Sequence, residues 1–137
     1  MQIRYTAQRS LNTTDSPAHV VDTQYTMTVY LKSYDRTRKA VKTSVRSLSG
    51  IEQTTYQRGE TTYKAQSIPV TGSDVINFRE FLDSVEDGSK FEFDSGDGRG
   101  FVRVQIEGKG YTEKRAIQKG GGGSSDYFAF GWKHREV

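Results

Sequence analysis

The chain of 137 residues contains no cysteine, two prolines, two histidines and a single tryptophan. Without cysteine, neither a disulfide nor a thiolate metal ligand can staple the fold. His19 and His134 stand in unrelated contexts, so a histidine-based metal site or a nucleophile triad lacks its parts. His134, on a strand among charged residues, is expected at the surface. No apolar run approaches the ~18 residues that a membrane helix needs. The opening MQIRYTAQRS lacks the apolar centre of a secretory signal. The expectation is a protein made and kept in the cytoplasm unless a particle carries it out.

Catalytic patterns are equally scarce. Asp94 and Asp97 in DSGDGRG suggest a calcium loop, but the ligand spacing is incomplete and no Glu closes it, so a turn is expected. Glu80, Asp83, Glu86 and Asp87 gather on one helix with no second carboxylate group opposite them for acid/base work. They read as a solvated face. GGGGSS, from Gly120 to Ser125, lacks the lysine of a phosphate loop and reads as a flexible connector. No pattern asks for a cofactor, and an enzyme is not expected.

What is present favours strands. Eight tyrosines and seven phenylalanines accompany many threonines and valines, and fourteen glycines supply turns. Thr23–Lys32 alternates, with Tyr25, Met27, Val29 and Leu31 on one face. Tyr34–Arg38 is expected to turn the chain into a strand over Lys39–Arg46. Ile51–Gln57 and Glu60–Val70 form a hairpin over Arg58-Gly59, with Tyr56 facing Tyr63. Lys90–Asp94 is a short strand with Phe91 and Phe93 on one face. Phe101–Glu107 buries Val102, Val104 and Ile106, and Gly108-Lys109-Gly110 turns it into Tyr111–Gln118. Asp126–Arg135 closes the series, with Phe128, Phe130 and Trp132 on one side.

One helix stands out, over about 73–87. Val75, Phe78, Phe81, Leu82 and Val85 recur at three- and four-residue steps and make a core face. Thr71 and Asp74 partly fit a capping box, Ser73 is a rival N-cap, and Gly88 suits the C-terminal stop. A helix this short is marginal alone and must lie on a sheet. The fold expected is mainly β: an antiparallel β-sandwich or distorted barrel of about eight strands with this helix packed on it. Residues 1–22 read as an extended arm, in which Ile3 and Tyr5 could start an edge strand, and 23–137 as a single domain.

The net charge of +3 is mildly basic. Arg36, Arg38, Lys39, Lys42 and Arg46 form an acid-free run, read as a solvated hairpin loop or a contact for an acidic neighbour or phosphates. Arg103, Lys109, Tyr111, Lys114 and Arg115, and later Phe130, Trp132, Lys133 and Arg135, interleave cations with rings. That mixture is how barrels hold single-stranded nucleic acid, which leaves a nucleic-acid-binding barrel as an alternative from another class.

The segment order resembles the distal tail or minor tail (baseplate adaptor) proteins of long, non-contractile-tailed bacteriophages. Phe78, Phe81, Leu82, Gly88, Phe91 and Phe93 carry the likeness, within VTGSDVINFREFLDSVEDGSKFEFD and on to VRVQIEGKGY and YFAFGWKHREV. It spans roughly Leu48 to Val137. The resemblance implies a structural virion protein forming a ring, typically sixfold, that joins the tail tube to the baseplate hub or central fibre. The tape measure protein would lie in the channel, and assembly would take place in the host cytoplasm. A tail tube or tail-terminator subunit is the alternative within the same machine. On that implication the expected subunit contacts are the Met1–Asp22 arm, the loop residues Arg36, Arg38, Lys39 and Lys42, and the connector residues Gly120, Gly123 and Ser125.

Overall fold

The computed structural model describes residues 1–8, 20–48, 50–117 and 126–137. In chain order they form β1 (Gln2–Thr6), β2 (Gln24–Thr28), β3 (Leu31–Arg46), β4 (Glu52–Ser67), α1 (Ser73–Val85), β5 (Phe91–Asp94), β6 (Val102–Ile117) and β7 (Tyr127–Glu136). The protein is mainly β, with seven strands in one antiparallel sheet of order β2-β1-β5-β6-β7-β4-β3. The two edge strands are consecutive in the chain. Val29 donates its N–H to Met1 O at 2.9 Å on one side, and Ile68 donates to Tyr30 O at 3.1 Å on the other. The sheet therefore curls until Tyr34 of β3 stacks on Phe93 of β5, ring centroids 5.1 Å apart. No ladder joins β2 to β3, so the sheet does not close into a barrel.

The helix fills the curl. Val75, Phe78, Phe81, Leu82 and Val85 are all buried. Phe78 stacks on Phe130 at 5.0 Å, and Phe81 meets Tyr5, Phe91 and Trp132 between 5.1 and 5.8 Å. Each of the five side chains contributes about 1.5–3 kcal/mol of transfer free energy before conformational entropy is subtracted. Neither expected cap forms. Gly72 is the N-cap, at φ +64°, without a side-chain bond to the helix. Thr71 instead donates its hydroxyl to Asp126 O at 3.0 Å, fastening the helix start to the strand before which Asp126 stands. Gly88, at φ +93°, follows the last turn.

Three expected turns are not turns. β3 runs straight through Tyr34–Arg38, β4 through Arg58-Gly59, and β6 through Gly108–Gly110, so β3, β4 and β6 are each 16 residues long. In the β3–β4 ladder, Val41 pairs with Arg58 and Lys42 with Tyr56, so Gln57 is the extra residue of a bulge. Tyr56 and Tyr63 lie on the same strand and do not face each other. In the β6–β7 ladder the register jumps between Ile106 and Tyr111. Gly108 and Gly110 absorb that jump at φ +87° and +129°. A glycine that permits positive φ serves a bulge as readily as a turn. The expected strand over Thr23–Lys32 is in turn divided, its two halves becoming β2 and the start of β3.

The expected arm does not begin at Met1. β1 lies inside the sheet between β2 and β5, with Ile3 and Tyr5 fully buried. It is thus no edge strand. Residues 9–19, including His19, fall outside the described residues.

Candidate assembly surface

β7 pairs with β4 only from Thr62 to Gln66. Beyond Thr62, β4 has β3 as its single strand neighbour, and the pair continues to Arg46 and Glu52. At ~3.3 Å per residue, Thr37–Arg46 makes a two-stranded ribbon reaching about 33 Å from the sheet. At its tip Gly50 donates to Ser47 O and Ser47 to Ile51 O, both at 2.9 Å. Val45, Leu48, Ile51 and Tyr56 are exposed near that tip.

The root of the ribbon is held firmly. Tyr34 and Tyr63 stack across the two strands at 4.8 Å. Tyr63 donates its hydroxyl to Glu136 Oε1 at 2.8 Å. Arg99, from the DSGDGRG loop, donates to Tyr63 Oη at 3.0 Å, to Glu136 Oε1 at 2.7 Å and to Asp97 Oδ2 at 2.9 Å. Partial burial pushes the Glu136 carboxyl up, but the bonds from Arg99 and Tyr63 outweigh it and hold it below the usual range. Burial, with Tyr63 and Glu136 nearby, holds the Tyr34 phenol well above its ordinary value, so it stays protonated. Loop, ribbon and last strand are thus joined at one node.

His134 is buried at the same place, against the surface position expected of it. Its Nε2 lies 3.0 Å from Tyr34 Oη, and its Nδ1 accepts the Trp132 indole N–H at 3.0 Å. Burial lowers its pKa from 6.5 to about 4, so the ring is neutral and structural.

The basic residues of the ribbon separate by face. Alternation along β3 puts Arg36, Arg38 and Lys42 on the face continuous with Tyr34, joined by Arg46 further out. Lys39 points the other way, opposite Glu60. Arg38 donates to Thr61 Oγ1 at 2.8 Å. Its guanidinium crosses Gly59 so closely that a Cβ there would stand 2.2 Å from Nη2. The glycine is needed for that approach rather than for a turn. The structure therefore gathers three of the four expected loop residues, and on a strand rather than a loop. Gly120, Gly123 and Ser125 lie outside the described residues. The exposed apolar tip was not singled out from the sequence, although Val45 and Tyr56 at strand positions without a core partner are its signal.

The other candidate sites resolve locally. Asp94 Oδ1 accepts Gly96 N–H at 2.9 Å and Asp97 Oδ1 accepts Arg99 N–H at 3.1 Å, so both carboxylates brace their own loop. Among the described residues no group of three His, Asp or Glu side chains is placed to hold a metal. The acidic helix cluster is not one solvated face: Glu80 is buried, and Asp83 accepts the Tyr111 hydroxyl at 2.7 Å. The cations and rings of β7 part company. Lys133 and Arg135 are exposed, whereas Phe130 and Trp132 are core. Phe130 and Trp132 are therefore not surface rings on which bases could stack.

No protein-family profile matches the chain, and no curated protein does. Among solved structures, the chain is similar in shape to one described as the tail of an empty GTA particle computed with helical refinement, C6 symmetry. The likeness covers 80% of this chain and 78% of that one, at 12% identity and a TM-score of 0.49.

Proposed function

We propose that this chain is a structural subunit of a phage-type tail that assembles with its own copies into a ring. Its place is the distal end of the tail tube, where it joins the tube to the baseplate hub or tail-tip fibre protein, with the tape measure protein in the channel. The ring is a hexamer, as the family resemblance in Phe78–Phe93 implies, and its localisation is the virion tail tip after assembly in the host cytoplasm. No catalytic role and no cofactor enter this reading.

The observation that carries it is the ribbon. Two strands projecting alone are marginally stable in water and expose two rows of unpaired backbone groups. Here one end is rooted in a rigid aromatic and ionic node, while the other carries Val45, Leu48, Ile51 and Tyr56 into solvent. Such a blade gains its stability from a partner, through strand addition or through burial of its tip. Arg36, Arg38, Lys39 and Lys42 are the proposed contact residues of the blade, and Gly120, Gly123 and Ser125 those of the connector. A head-to-tail use of the blade closes a ring.

The same ribbon suits a tube subunit, whose blade reaches the next ring in a stack. A 137-residue domain has a radius of gyration of about 14 Å, so the ribbon extends well beyond its own body. Symmetry-resolved images of assembled particles test both readings. Copies confined to one ring at the tail end support the adaptor, and copies along the tube length support the tube subunit. Replacing Lys39–Gly59 by a short turn should leave a folded monomer that forms no ring. Rings formed by that shortened chain would refute the role of the blade. Truncating the first residues is a poor test, because it removes β1 from the sheet.

A further inference from the structure

Five lysines rim one groove on the outer face of the sheet. Phe130 and Trp132 of β7 turn their rings to the helix, so Ala129, Gly131 and Lys133 face the opposite side. Two hollows of about 450 and 490 Å³ lie along that side, each within the ~300–1,000 Å³ of ordinary ligand clefts. They share Gln66, Thr112 and Gly131, and so run together over β7. Gly131 keeps the floor low. It is not one of the glycines at positive φ, so no turn asks for it. A Cβ there would stand 2.9 Å from Thr112 Oγ1 and 3.8 Å from Gln66 Cγ. Lys64, Lys109 and Lys133 stand at one end of the groove, Lys32 and Lys114 at the other. Arg115, beside the second pair, is committed to Asp126 at 3.2 Å. Glu107 is the carboxylate lining the first end, and Asp35 lies opposite Lys64 in the β3–β4 ladder. The ion pairs among the described residues involve none of the five ammonium groups. Across the β4–β7 ladder, Lys64 lies directly opposite Lys133. Like charges so placed destabilise a sheet, and an anion between them turns the repulsion into attraction.

We propose that this groove binds an extended acidic segment of another polypeptide. Ala129, which pairs with Lys114, stands about 13 Å along the strand from Lys133 at ~3.3 Å per residue. An extended segment with carboxylates at alternate positions covers that span and sets one among the cations at each end. The lips of the groove suit a main chain. Gln66 accepts from Ser33 Oγ at 3.3 Å through its carbonyl oxygen, which leaves its NH2 to donate. Thr112 donates its hydroxyl to Gly131 O at 3.3 Å and keeps its lone pairs to accept. The small side chains at Gly131 and Ala129 let a backbone come down between these lips. Single-stranded nucleic acid is the poorer match, because its bases need rings to stack on. Phe130 and Trp132 are core, and Tyr111 gives its hydroxyl to Asp83. Within this chain, carboxylates alternate at Glu92 and Asp94 alone, and β5 is paired on both sides, so the occupant is a different protein. The groove lies over β4, β6 and β7, apart from the projecting ribbon, and does not depend on ring formation.

Fluorescence anisotropy on the full chain tests this. The probe is a labelled peptide of five Glu-Thr repeats, and five Gln-Thr repeats are its neutral control. The acidic peptide should bind at least tenfold tighter than the neutral one. Lys64→Gln with Lys133→Gln should weaken its binding about tenfold or more, and Lys32→Gln with Lys114→Gln should weaken it in the same direction. The first variant should keep or raise its Tm, because it removes a like-charge pair, so its loss of binding is not a loss of fold. Gly131→Thr keeps every charge and fills the floor, and it should also weaken binding about tenfold. If that chain misfolds, Ala129→Thr fills the same floor in its place. Binding unmoved by the floor change means general attraction of anions to a basic surface, and it overturns the groove. Binding of the acidic peptide no tighter than that of the neutral one overturns it as well. A labelled ten-nucleotide thymidine strand is titrated beside the peptides at the same ionic strength. Tighter binding of that strand, lost in the same variants, assigns the groove to nucleic acid and overturns the peptide reading.

Discussion

Trp132 Nε1 donates to Nδ1 of His134 at 3.0 Å, two residues along the same buried strand face. An indole N–H can only donate, so Nδ1 must accept and the single proton of the neutral ring sits on Nε2. That proton points at Tyr34 Oη, 3.0 Å away. The pair fixes the tautomer of a buried histidine and, through it, the seat of the ribbon.

Acid should therefore loosen the fold in a defined window. Native His134 titrates near 4, against 6.5 for the ordinary group, because burial penalises its charged form. Between those values the unfolded chain binds a proton that the native chain refuses. The contribution of His134 is full above pH 6.5, falls as pH drops, and levels off below about 4, a loss of about 3 kcal/mol, while the lowered carboxyl of Glu136 adds a further loss at still lower pH. Denaturant midpoints across this range should show the fall, and His134→Phe should flatten it.

Tyr34→Phe should cost about 1–3 kcal/mol. It removes the acceptor for the Nε2 proton of fully buried His134, leaving a buried donor unsatisfied. Tyr111→Phe breaks a bond from a half-buried ring to Asp83, whose carboxylate can turn to solvent, so its cost should be the smaller one. Urea denaturation of the two variants side by side checks the order.

Phe81→Ala should cost about 3–5 kcal/mol. The ring is fully buried and touches Tyr5, Phe91 and Trp132, so its loss opens a cavity bordered by three rigid rings that cannot close in. Thermal unfolding followed at far-UV and near-UV wavelengths would give the loss directly. A fall below about 1 kcal/mol would mean that the helix does not seat as described.

Gly108→Ala should cost about 1–2 kcal/mol through backbone strain alone. Nothing stands within 4 Å of a Cβ built there, yet φ is +87°. Gly59→Ala acts differently. Its Cβ displaces the flexible end of Arg38 and breaks the bond to Thr61, so a cost of about 1 kcal/mol is expected. Combining it with Arg38→Ala should remove most of that penalty, as a double-mutant cycle would reveal.

Much of the body could be read from residue order. The spacing of Val75, Phe78, Phe81, Leu82 and Val85 marks the helix face, and alternation marks Phe91 with Phe93 and Val104 with Ile106. The same alternation carried the burial of His134, since it is in phase with Phe128, Phe130 and Trp132. Charged neighbours obscured it, although on a strand those neighbours face the other way. Glu80 had no such signal: it falls on the polar side of the helix pattern and is nevertheless buried, near Tyr5 of β1.

The element types, the central helix and its core face follow from side-chain period within single segments, which residue order alone carries. Whether a glycine-rich stretch turned the chain or bulged it depended on long-range strand pairing. Positive φ at Gly108 and Gly110 permits either outcome locally. The strand alongside settles it: β7 runs on past the first pair and β3 past Gly59, so their ladders hold β6 and β4 straight. The same long pairing turned an expected basic loop into a rooted ribbon, with Arg36, Arg38 and Lys42 on one face and Lys39 on the other by the strand period.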